Sequence, residues 1–261
     1  MVLVKVIKMG TRKENQKVLG HQCYVALGDS MLIDYYAGGP GWGAASLLYK
    51  NLDDAYPDWR GKDLATLYPG IGFYNLTSDG ATTDTVFNWQ LPKVPTGENQ
   101  ATIIIITVGG NDLLHHYGVP EEKGEKLSYE MKVKLIKIIS YLQDPVRFPK
   151  PPRIYIGNIY DPSDGIGNLE KEGYSRWPNG LKVLDHWNKR IEEVAQEKGL
   201  TLVDIHRHFL GHGVNYNDPS GKYYHPEDNT PWLWLVIEPN SRGAHEIRKL
   251  FWEKIHEDSL K

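Results

Sequence analysis

Thr102-Ile103-Ile104-Ile105-Ile106-Thr107-Val108 is the stretch that decides the fold. Four consecutive isoleucines between threonines leave no polar face, so a strand made from them must be covered on both sides. The centre of a parallel sheet meets that condition. Working outward, four more short β-rich runs stand at Tyr24–Leu27, Ile71–Leu76, Arg153–Ile159 and Leu200–Ile205. Helical spacing fills the intervals. Met131, Leu135, Ile138 and Leu142 precede Pro145, and Leu181, Leu184, Trp187, Ile191 and Val194 precede Gly199. Ile247, Leu250, Phe251 and Ile255 mark a last helix over Ala244–His256. Strands alternating with helices predict an α/β sandwich with right-handed crossovers and an about five-stranded, mostly parallel sheet.

Composition narrows the function classes. The 261 residues carry 30 Lys and Arg against 33 Asp and Glu, a net charge of −3. That balance offers no general attraction to nucleic acid. No linker, repeat or low-complexity tract interrupts the chain, which predicts one domain over 1–261, with 1–20 as an extension and 206–235 as a long loop near the site. The first twenty residues mix Lys, Arg and Glu without an apolar core, so no secretory signal is expected, and no apolar run approaches a membrane span. With Cys23 the only cysteine, no intrachain disulfide or cysteine-based zinc cluster can form. The expectation is a cytoplasmic protein acting on a small or acylated molecule, with no cofactor and no metal.

In parallel sheets ligands gather beyond the carboxyl ends of the strands. After the first strand stands Gly28-Asp29-Ser30, where a glycine entering a sharp turn would expose a serine hydroxyl, as at a nucleophile elbow. The competing reading makes Ser30 a helix N-cap. Beyond the second strand, Gly80 in Thr77-Ser78-Asp79-Gly80-Ala81-Thr82-Thr83 could offer a backbone N–H to a ligand. Beyond the third, Gly109-Gly110-Asn111-Asp112 combines close backbone approach with an amide able to donate to a developing oxyanion, or forms an ordinary turn and helix cap.

These three blocks, each ending a predicted strand, resemble those of the SGNH hydrolases, also called GDSL-type esterases and lipases. The resemblance covers about residues 20–115 and resumes in the last helix. It implies a flavodoxin-like three-layer α/β/α fold and Ser30 as nucleophile. It further implies an oxyanion hole from the Ser30 and Gly80 N–H groups and the Asn111 side chain, with Asp29 stabilising the turn. The family's Asp-x-x-His before the last helix is not matched. The frame Pro239-Asn240-Ser241-Arg242-Gly243 aligns, and puts Leu235 and Glu238 where the aspartate and histidine would stand.

A serine hydroxyl needs a base that can return the proton to the leaving alkoxide. An ordinary carboxylate is about two pK units less basic than imidazole, although burial raises it. The stretch 206–234 supplies His206, His208, His212 and His225 together with Glu227 and Asp228. The favoured reading is a rewired triad of Ser30, His225 and Glu238, with His212 in reserve. Two other readings stand beside it. One is a non-catalytic family member that keeps the pocket to bind a ligand. The other is a metal-dependent hydrolase using His212, His225, Glu227 and Glu238. Glu121–Lys126 reads as a solvated charged loop, and Asp161–Gly180 as a lid or a surface loop.

Overall fold

The computed structural model describes residues 22–261; the expected extension over 1–20 lies outside them. Five strands, β1 (Cys23–Gly28), β2 (Gly72–Asn75), β3 (Ile103–Thr107), β4 (Arg153–Gly157) and β5 (Thr201–Val203), form one sheet in the order β2-β1-β3-β4-β5. Every pairing is parallel. This is a doubly wound order, whose direction of travel reverses between β1 and β3 and opens a crevice there.

The isoleucine run explains the layers. Ile104 and Ile106 pack with Met131, Leu135 and Ile138 of helix α3 (Glu121–Leu142) and with Trp187 and Ile191 of α4 (Gly180–Lys198). Ile103 and Ile105 face the other way, toward α1 (Ala44–Tyr49) and Ile247, Phe251 and Ile255 of α5 (Ser241–Ser259). A short helix, α2 (Gly110–Leu114), follows β3. The strand therefore alternates between two apolar layers, which is why its sequence does not alternate.

One expectation is corrected. Glu121–Lys126 is not a loop but the first turns of α3, where Glu121 and Glu122 lie at the positive end of the helix dipole. The stop at Gly199 holds, with the glycine at φ +66° capping α4.

The segment after β4 is tied down by two buried carboxylates. Asp161 accepts from the N–H and hydroxyl of Ser163 and from Gly165 N–H. Asp164 accepts from Gly211 and Gly213 N–H at 2.9 and 2.8 Å and from Asn215 N–H at 2.8 Å. It thereby holds the segment 161–180 to the loop beyond β5. Asp164→Asn should cost about 2 kcal/mol in urea denaturation, because an amide must turn an N–H toward one of these donors. A loss below 0.5 kcal/mol, on the scale of an ordinary surface change, would mean the tie is not felt.

Candidate active site

The β1 end is built by close packing. Gly28 has φ +116°, and a Cβ there would sit 1.7 Å from the Thr107 carbonyl oxygen, so only glycine fits. Gln90 brackets it, accepting from Gly28 N–H at 2.7 Å and donating to its carbonyl at 2.9 Å. Asp29 N–H then bonds Thr107 O, joining the turn to the end of β3. Ser30 lies in turns, not at a helix start; the next helix begins at Ala44. The helix-cap reading of Ser30 is thus set aside.

The second and third blocks are held together. Asp112 accepts from Thr83 N–H at 2.9 Å and from its hydroxyl at 2.6 Å. Asn111 donates one amide N–H to Ala81 O at 3.1 Å. An amide carries two such hydrogens, so the second is free for a ligand. Among the described residues the backbone N–H groups of Ser30 and Gly80 also have no hydrogen-bond acceptor.

Ser30, Asn111 and Glu238 line one cavity at the carboxyl ends of β1, β3 and β4, with a volume near 900 Å³ counting its open mouth. Gly80, exposed at φ +68° just before Ala81, is not among its lining residues. Glu238 opens strand β7 (Glu238–Pro239), which forms a hairpin with β6 (Leu233–Trp234). The connecting Leu235 and Val236 have φ of +48° and +70°, and Ile237 N–H bonds back to Leu235 O. A hydrogen bond spanning one residue of positive φ is the strained hand of γ-turn. A β-branched residue there is a genuine outlier of the kind that collects at functional sites. The Tyr160 hydroxyl donates to Ile237 O and steadies the residue just before Glu238.

Two acids meet in this cavity. Burial pushes the Glu238 carboxyl above the usual carboxylate range; the Ser30 hydroxyl partly offsets this, and the negative charge of Asp79 adds to it. Its Oε2 is buried and has no well-formed hydrogen bond among the described residues. Asp29 is pushed up to about 7, chiefly by burial. The Thr107 hydroxyl and Met31 N–H pull it down, while the Glu238 charge pushes it further up.

The expected His225 is not brought to Ser30. Its Nε2 donates to Leu210 O at 3.1 Å, and its ring stacks on His212, which lies flat on Trp232 at 3.6 Å. These three rings line a second cavity with Arg207, Arg242 and Lys249. No histidine is among the residues lining the Ser30 cavity. The long loop 206–235 thus borders that second cavity, and it begins as a short helix, Ile205–Phe209. Among the described residues no three His, Cys, Asp or Glu side chains are grouped as metal ligands, and no helix is long and apolar enough to cross a membrane.

Sequence reasoning missed Asp29 as a buried acid sharing the cavity with Glu238, and missed Gln90 altogether. Thr107 carried a signal, being polar at the end of an otherwise apolar strand.

Comparison with known proteins agrees with this architecture. Residues 26–230 match the model of the GDSL-like Lipase/Acylhydrolase family, a span that ends before Glu238. Phospholipase A1 from Streptomyces albidoflavus NA297 is 19% identical, with a TM-score of 0.55 over 90% of this chain and 99% of that one. Axe2, an acetylxylan esterase from Geobacillus stearothermophilus, is 17% identical, with a TM-score of 0.56 over 90% and 95%. At such identities the likeness speaks for the fold. No curated protein matches. With the family model covering most of its length, the chain belongs to the GDSL-like lipase/acylhydrolase family.

Proposed function

We propose that the protein is a serine ester hydrolase in which Glu238, not a histidine, exchanges the proton with Ser30. Ser30 Oγ attacks the acyl carbonyl carbon and its proton passes to the Glu238 carboxylate. The tetrahedral oxyanion takes hydrogen bonds from the free Asn111 N–H and the Ser30 N–H; Gly80, which does not line the cavity, is left out of this hole. Collapse breaks the ester bond, and the departing alkoxide takes the proton from Glu238. Water then repeats the sequence on the acyl-enzyme and releases the acid. Burial of Glu238 helps both halves, since a base and its conjugate acid work best with a pKa near the working pH.

One observation carries this reading: Ser30, Asn111 and Glu238 share a single cavity at the switch point of the sheet. A fluorophosphonate probe tests it, because stable labelling requires an activated nucleophile. Labelling should map to Ser30 by peptide mass spectrometry and vanish in Ser30→Ala. Asn111→Ala should lower kcat on p-nitrophenyl esters about 10²-fold with little change in KM. No labelling, together with no hydrolysis across a range of acyl esters, would leave a ligand-binding protein in its place. The lone cysteine, Cys23, is buried and free, which suits the reducing cytoplasm where we place the protein.

A further inference from the structure

We infer that the acyl group taken by this site is a medium or long aliphatic chain rather than acetyl, an inference that rests on the esterase reading and narrows it. Charged and amide groups in the cavity are confined to the Asp29–Ser30, Asn111 and Glu238 end and to the carboxylate turn at Asp161. The rest of the wall comes from α2, the end of β4, the 161–180 segment and the start of α4, and includes Leu113, Ile159, Leu169, Trp177, Leu181 and Leu184.

Apart from the half-buried Tyr174 hydroxyl, the side-chain polar atoms in this wall are already committed. Trp177 Nε1 donates to Val119 O at 2.8 Å and the Tyr117 hydroxyl donates to Ser175 O at 2.6 Å. The two rings meet at 4.7 Å, so what they offer the cavity is aromatic surface. Asp161 and Ser163 are spent on each other and on the backbone of their own turn. A sugar or peptide lodged against this wall would lose its water and gain the Tyr174 hydroxyl as its one side-chain partner there, at a cost in affinity. A hydrocarbon chain gains by the same burial. An acetyl group would leave most of the wall uncovered.

The carboxylic acid product separates this inference from the catalytic reading, because its binding needs no turnover. Isothermal titration of the Ser30→Ala protein should show octanoate binding at least 10²-fold more tightly than acetate. On active protein, kcat/KM for p-nitrophenyl esters should rise up to about four-fold per methylene, reaching roughly 10²-fold from butyrate to octanoate. Leu169→Asp, which puts a carboxylate into the half-buried wall, should collapse the octanoate-to-acetate ratio. Circular dichroism on the same sample establishes that it is folded. Labelling at Ser30 with acetyl esters preferred would overturn the acyl-chain inference and leave the esterase reading standing. Selective octanoate binding without labelling would do the reverse.

Discussion

Glu238→Gln should lower kcat for p-nitrophenyl esters by about 10³, within the range general acid–base catalysis contributes, while His225→Ala changes it less than two-fold. The amide keeps the shape of the side chain but cannot take the Ser30 proton, so fluorophosphonate labelling should slow in parallel. The wild-type profile of kcat/KM should climb with pH through the raised pKa of Glu238, because only the ionised carboxylate is a base. The glutamine variant should lack that limb. The contrast with His225 is the sharper half of the experiment, since its ring nitrogen bonds the Leu210 carbonyl and its ring stacks on His212. A loss under ten-fold for Glu238→Gln, with His225→Ala costing 10² or more, would return the base to the histidine.

What was legible in the sequence follows from what each residue's neighbours in the chain determine. Ile103–Ile106 announced a strand buried on both faces, and each residue packs into one of two layers as that pattern requires. Ser30 and Asn111 were legible because both sit within four residues of a strand end, and a parallel sheet places such ends together. His225 was not. The stretch 206–235 has the composition of a reactive loop, but composition cannot give a loop's direction, and this one spends its rings on each other and on backbone carbonyls. Glu121–Lys126 misled for a related reason, since a solvated helix face and a charged loop share a composition. Asp29 was hidden differently: its raised pKa comes from burial and the Glu238 charge, offset by the Thr107 hydroxyl, and both of those groups are far away in sequence.

That buried acid gives the second large effect, which concerns stability. Asp29→Asn should stabilise the protein at pH 8 relative to wild type and do little at pH 4. The carboxyl titrates at about 7 in the folded chain against an ordinary value of 3.8. Between those values the folded state holds a proton that the unfolded state has released, so wild-type stability falls as pH rises through this window. The full loss is on the order of 4 kcal/mol. Asparagine mimics the protonated acid, its oxygen still accepting from the Thr107 hydroxyl and Met31 N–H, and it never ionises. The gap between the two urea denaturation curves should therefore open steadily from pH 4 to pH 8. Glu238 titrates in both proteins, and its charge acts on an ionisable neighbour only in wild type, where it adds to this gap. Kinetics supply an independent reading. Ionised Asp29 beside Glu238 raises the basicity of the glutamate, so wild-type activity should show an added rise near pH 7 that the asparagine variant lacks. A stability difference that stays constant across pH would mean that Asp29 is ionised in the folded protein throughout, and that Glu238 works without a protonated neighbour.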